Sequence, residues 1–122
     1  MKHQKLTANP LFLVALEVEL PASDFPKLNI QYTGVGKVNA AYHAMKNIQS
    51  FHPTVVINFG SAGAVGPEIS GLVQVSRVAQ RDMDVRGLGF EFGQTPFETG
   101  EDSFMLEDCS KIDNNKSGTK VS

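Results

Sequence analysis

The 122-residue sequence has no tryptophan and a single cysteine, Cys109. With one thiol, no intramolecular disulfide can close and no cysteine-based zinc site can assemble, so Cys109, set in a polar stretch, reads as an incidental thiol. A basic excess is missing too: 11 Lys and Arg stand against 13 Asp and Glu, a formal net charge of −2. That balance argues against a nucleic-acid scaffold, which needs a cationic face to displace counterions from phosphates. Long apolar runs are also absent from the start of the chain. The first, residues 11–16, is followed at once by Glu17 and Glu19, too soon for a membrane span or the core of a signal peptide. A cytoplasmic protein is the expectation, with one domain, because a chain of this length suits one core and not two.

Composition shifts near Phe97. Residues 1–10 read as an N-terminal lead and 11–105 as the folded domain. Residues 106–122, rich in Asp, Lys, Ser and Asn, read as a disordered tail. Within the domain, the unbroken run at 11–16 fits a strand covered on both faces. It turns alternating through Glu17-Val18-Glu19-Leu20 before Pro21 stops it. In such a strand Glu17 and Glu19 would share one side at the carboxyl end. Residues 24–31, broken by Pro26, read as loop with a brief strand near Ile30. From 37 to 50 the apolar positions Val38, Ala41, Tyr42, Met45 and Ile48 recur at helical spacing and predict an amphipathic helix. After Pro53, the β-branched stretch at 54–59 predicts a second central strand, and residues 72–78 a third. A strand, a helix and a strand ending in a glycine turn is an α/β signature, in which ligands sit at the carboxyl ends of the strands.

Several residues could carry chemistry. Glu17 and Glu19 fit either a general base that activates water or solvated charges ending a strand. Gly34-Val35-Gly36-Lys37 before the helix fits an anion cradle or a plain tight turn, and Asn39 stands where a dinucleotide motif would place its third glycine. Gly60-Ser61-Ala62-Gly63 lacks the G-x-S-x-G spacing of a nucleophile elbow, so Ser61 reads as ligand-holding or as part of an ordinary turn. Asp82 and Asp84 make a poor metal site without a third ligand and read as structural or solvated. The glycine- and aromatic-rich stretch after them leaves Leu88, Phe90 and Phe92 exposed unless a partner subunit covers them. His43 and His52 default to surface roles, His52 near the helix carboxyl end where a partial positive charge suits the dipole.

Taken together these segments resemble the 5′-methylthioadenosine/S-adenosylhomocysteine nucleosidases of the purine nucleoside phosphorylase superfamily. LFLVALEVEL looks like the family's first strand with its acidic end. TGVGKVNAAYHAMKNIQSFHPTVVINFGSAGAV is similar to its helix and the strand ending in N-x-G-S-A-G, and RDMDVRGLGFEFGQTPFE resembles its D-x-D-V loop. The resemblance implies a three-layer α/β/α fold with a mainly parallel or mixed central sheet, here incomplete: shortened between Leu20 and Gly34 and truncated at the carboxyl end.

The resemblance further implies hydrolysis of the N-glycosidic bond of a thio-substituted adenosine to adenine and a thioribose, with no cofactor and no metal. Glu19 matches the glutamate that activates water. Leu16, Ser61, Ala62 and Gly63 match substrate-lining positions, and Phe104 and Met105 resemble the purine-stacking segment. Val85, Leu88, Phe90 and Pro96 match a loop that enters the neighbouring subunit's pocket, which implies a homodimer. Asn58 stands where hexameric phosphorylase relatives carry a phosphate-gripping arginine, which favours water as nucleophile. After Met105 the family's methionine-glutamate pair and its later aspartate acid have no counterpart.

Overall fold

The computed structural model describes residues 9–98 and 104–106. The elements are β1 (Pro10–Val14), β2 (Asn29–Tyr32), α1 (Lys37–Phe51), β3 (Val55–Phe59), β4 (Arg77–Val78) and β5 (Phe104–Met105), with 3-10 turns at Glu17–Glu19, Ala22–Asp24 and Arg86–Leu88. The first three strands form a parallel sheet in the order β2-β1-β3. β1 is central, pairing Phe12 with Ile30 on one side and with Ile57 on the other.

Centrality explains the unbroken apolar run of β1. Successive side chains point to opposite faces, so a strand covered on both must be apolar throughout. Phe12 and Val14 join Ile30 and Ile57 in one core cluster, with Leu20, Ala22, Leu28 and Tyr32 packed around it. Leu11 and Leu13, also buried, occupy the opposite face, the one left for α1, which packs against β1. Burial of each of these large side chains stabilises the fold by about 1.5–3 kcal/mol.

The helix starts after Gly36, whose φ of 99° lies in a region that favours glycine. It ends where His52 turns left-handed at φ 45° and Pro53 forbids continuation. The Asn9 side-chain amide donates to the orphan carbonyl of Phe51 at 3.0 Å, the Asn9 N–H donates to the Thr54 hydroxyl at 2.8 Å and the Thr54 N–H to the Asn9 carbonyl at 3.0 Å, so the start of β1 is tied to the end of α1.

Three expectations are corrected, and one, the brief strand near Ile30, is met at Asn29–Tyr32. The first strand ends at Val14, and Glu17–Glu19 is a 3-10 turn, so Glu17 and Glu19 do not share the side of a strand. The cause is local: Leu16 and Glu19 bond reciprocally, backbone N–H of 19 to carbonyl of 16 and backbone N–H of 16 to the Glu19 carboxylate, each at 3.0 Å. This closes the chain into a turn. The brief strand near Ile30 is a full member of the sheet. The apolar stripe of α1 does not face the sheet: Val38, Tyr42 and Met45 are 83%, 61% and 60% exposed, whereas His43, Ala44 and Asn47 are half-buried. The predicted strand at 72–78 forms only at Arg77–Val78, paired antiparallel with Phe104–Met105. Residues 72–76 are irregular, with the Ser76 carbonyl accepting the Leu106 N–H at 2.9 Å at the edge of that pair. Cys109 and residues 107–122 lie outside the described residues.

Candidate active site

Adjacent parallel strands end on the same side, and the register pairs Val14 with Phe59 as the last residues of β1 and β3. Just past these ends the chain supplies Glu19 from the turn after β1 and Ser61 from the glycine turn after β3. The two residues touch. Oε1 of Glu19 accepts the Ser61 hydroxyl at 2.7 Å and the Ser61 backbone N–H at 3.0 Å, while Oε2 accepts the Leu16 N–H at 3.0 Å.

These donors hold the Glu19 carboxyl below the usual glutamate value of 4.5: the Ser61 hydroxyl first, then the Ser61 and Leu16 backbone N–H groups, against a smaller opposing effect of burial. The group is therefore a carboxylate at neutral pH. A carboxylate offers about four lone-pair directions, and among the described residues three donors point at this one. Such an oriented anion can take a proton from water or stabilise a cationic sugar.

Ala62 and Gly63 continue the exposed loop beyond Ser61, and nothing lies within 4 Å of where a side chain at Gly63 would begin. Leu16 contributes its backbone N–H to Glu19, and its side chain is exposed. Phe104 and Met105 form β5 of the two-stranded sheet, where the Arg77 Nε donates to the Met105 sulfur at 3.3 Å.

The loop residues sort unequally. Leu88 is 76% exposed, Val85 and Pro96 are half-buried, and Phe90, expected to be exposed, is half-buried with its ring edge-on to Phe97 at 5.7 Å. Asp84 takes a bidentate pair from Arg86 at 2.8 and 2.7 Å, and the same guanidinium lies 5.1 Å over the Phe92 ring. Asp82 pairs with Lys37 at the start of α1. These cations hold both aspartates below the usual 3.8. Among the described residues no three His, Cys, Asp or Glu side chains gather as a metal site would require. His43 sits edge-on to Tyr42 at 5.1 Å, remote in role from the Glu19–Ser61 pair.

One residue near the site carried no sequence motif. Tyr32, the last of β2, donates its hydroxyl to the Leu20 carbonyl and accepts the Ala22 N–H, both at 2.8 Å. A tyrosine ending a short strand gives no sign that its hydroxyl bridges a turn ten residues upstream.

Among the described residues no helix is long and apolar enough to cross a membrane. The chain is similar to the 5′-methylthioadenosine/S-adenosylhomocysteine nucleosidase of Exiguobacterium sp., 44% identical over 66 residues, 52% of this chain and 28% of that protein. The nucleosidase of Staphylococcus haemolyticus is 36% identical over 89 residues, 69% of this chain and 39% of that protein. The chain thus spans well under half the length of these curated relatives. Its fold matches a crystal structure of the nucleosidase from Neisseria meningitidis in complex with methylthio-immucillin-A. The TM-score is 0.72 at 23% identity, covering 95% of this chain and 62% of the other. The incomplete α/β architecture expected from the sequence is therefore the architecture observed. The sequence pattern of the phosphorylase superfamily matches residues 25–110, a span that starts after the turn holding Glu19 and takes in β2, α1, β3 and the Ser61 loop, and this chain belongs to that superfamily.

Proposed function

We propose that the chain has the chemistry of a nucleosidase, hydrolysing the N-glycosidic bond of 5′-methylthioadenosine or S-adenosylhomocysteine, with Glu19 as the base. The observation that carries this reading is the Glu19–Ser61 contact at the carboxyl ends of adjacent parallel strands. As the bond from C1′ to adenine breaks, its electron pair leaves with the base and the sugar becomes cationic. Water adds to C1′ and gives its proton to the Glu19 carboxylate; the departing adenine takes a proton from solvent and Glu19 returns its own to solvent, so that adenine and thioribose leave neutral. The ionised state of Glu19 suits the cationic sugar, and Ser61 sets the direction of the carboxylate. Leu16, Ala62 and Gly63 line the ribose side, and Phe104 and Met105 are the purine contacts. Val85, Leu88, Phe90 and Pro96 reach a second subunit's pocket in a homodimer. This activity would serve methionine salvage in the cytoplasm. Asn58, which carries no positive charge, supports water over phosphate as the nucleophile.

Adenine release from methylthioadenosine by the purified chain tests the reading. Glu19→Gln keeps the shape of the side chain and removes the proton acceptor, so release is expected to fall by about 10²–10⁴. Equal turnover by both proteins rejects the assignment.

A second reading is purine-nucleoside binding without turnover; a site that lacks general-acid help loses about 10²–10⁴ in rate. Calorimetry with methylthio-immucillin-A separates the two: heat of binding without adenine release from substrate selects this second reading. Phosphate-dependent release of a pentose 1-phosphate would select phosphorolysis instead.

A further inference from the structure

We infer that Tyr32 is a positioning residue for Glu19, its hydroxyl bridging the Leu20 carbonyl and the Ala22 N–H and thereby fixing the turn that aims the carboxylate at Ser61. The inference deepens the nucleosidase reading and rests on it for its catalytic meaning, though not for its structural test.

The geometry is specific to one joint in the chain. Between β1 and β2 run two successive 3-10 turns, Glu17–Glu19 and Ala22–Asp24, with Leu20 and Pro21 between them. A 3-10 turn is held by few and poorly aligned bonds, and Pro21 brings no N–H to the joint. The backbone groups on either side of that proline, the carbonyl of 20 and the N–H of 22, both find the same oxygen, the Tyr32 hydroxyl, at 2.8 Å. A hydroxyl can donate once and accept, so one atom serves both.

The anchor itself is rigid. Tyr32 pairs with Val14 of the central strand and its side chain packs against the core cluster. The residue after Glu19 is thus fixed to β2, the neighbour of the central strand β1 at whose end the site lies. Without that bridge the Glu19 turn keeps its internal bonds to Leu16 and its contact with Ser61, and loses the link between its backbone and β2. Carboxylate placement then depends on Ser61, a residue of an exposed loop.

Tyr32→Phe removes the hydroxyl and retains the packed ring. The direct readout is the Glu19 carboxyl followed by carbon-13 NMR as pH is varied, with Glu17 of the same turn as internal control and exchange of the Leu16 and Ser61 amides alongside. In the variant the Glu19 midpoint is expected to rise towards the ordinary glutamate value and both amides to exchange faster, while the amides of β1 that face β3 keep their protection. An unchanged Glu19 midpoint and unchanged Ser61 exchange in a folded Tyr32→Phe protein overturn the inference.

Should Tyr32→Phe fail to fold, Ala22→Pro removes only the N–H accepted by the hydroxyl, at the first position of a 3-10 turn. The preceding Pro21 already has the extended ψ of 123° that a following proline requires. A smaller rise of the same sign supports the inference. Loss of β1 protection in both variants overturns it, since the hydroxyl would then serve the whole sheet and not the carboxylate.

If the wild-type chain releases adenine, Tyr32→Phe is expected to lower kcat by roughly 10- to 100-fold with KM nearly unchanged, the signature of misplacement and not of lost binding. A wild-type chain with a Tyr32-dependent Glu19 midpoint and no adenine release leaves this inference standing and defeats the nucleosidase reading alone.

Discussion

The half of the molecule built on β1, β2 and β3 and the half that follows Ser61 are held together by different physics. In the first, apolar side chains are enclosed and backbone groups pair in parallel ladders: Phe12 is 2% exposed and Leu11 and Val14 are fully buried. In the second, Leu72 and Leu88 stand 69% and 76% exposed, and the main fixed points are charges at the surface, Lys37 on Asp82 and Arg86 on Asp84. Glu19 and Ser61 meet at the seam. The Glu19 carboxylate belongs to the part stabilised by burial and its hydroxyl partner to the part stabilised by exposed polar contacts, so damage to either half reaches their contact by a different route.

The largest way to break this contrast is Phe12→Ala. Truncating an enclosed aromatic costs about 3–5 kcal/mol through lost transfer energy and the cavity left behind. That is a large share of the 5–15 kcal/mol total typical of a domain. Urea unfolding followed by circular dichroism is expected to show loss of most of the cooperative transition. A change under 1 kcal/mol would mean that the sheet face is not the core.

Gly36→Ala comes next and tests the link between the sheet and the helix. Space is not the obstacle, since nothing lies within 4 Å of the added carbon; the obstacle is the φ of +99°. Forcing a side chain into that conformation costs about 1–3 kcal/mol, read as a lower midpoint in the same titration. The helix is then expected to fray from Lys37 and release Asp82.

The buried half was largely legible in the sequence, and the exposed half was not. The continuous run at 11–16 identified a central strand because only a strand covered on both faces lacks polar positions, and β3 and the ends of α1 followed from β-branching, Gly36 and Pro53. The site was legible where a glycine turn follows a strand, at Ser61, and its other half, Glu19, was identified by resemblance while its backbone was misread as strand. Alternation at Glu17-Val18-Glu19 says nothing about the reciprocal Leu16–Glu19 bonds that curl the chain. For α1, periodicity revealed a stripe and could not reveal what covers it. A three-stranded sheet contacts the side bearing His43, Ala44 and Asn47 and leaves Val38 and Met45 facing outward. Residues 72–76 had strand composition, yet only Arg77–Val78 pairs as a ladder, and a strand is a property of two segments.

Acidification sharpens the comparison from the polar side. Glu19, Asp82 and Asp84 all have carboxyls lowered from their usual values of 4.5, 3.8 and 3.8. A group with a depressed folded value contributes stability fully above its unfolded value and loses it as pH falls through the folded one. Stability is therefore expected to be flat from neutral pH to about 5. Below 4.5 it declines, first through Glu19 and then through the two aspartates. Ser61→Ala removes the largest cause of the Glu19 shift, so the onset of the decline moves to lower pH in that variant; an onset that stays put would assign the acid sensitivity to the aspartates.

Leu88→Ser is the smallest expected effect and the one that decides how far the contrast extends. In an isolated chain Leu88 is exposed, and surface substitutions of this kind change stability by no more than about 0.5 kcal/mol. If the loop around Leu88 seats in a second copy of the chain, the same change removes apolar area from an interface, and the melting temperature becomes dependent on protein concentration. Thermal melts of wild type and Leu88→Ser over a hundredfold dilution separate these cases. Superimposable, concentration-independent melts leave the loop as a surface feature of a monomer. A wild-type melt that falls on dilution, with Leu88→Ser already low at every concentration, shows that the exposed half acquires in the dimer the burial it lacks in one chain.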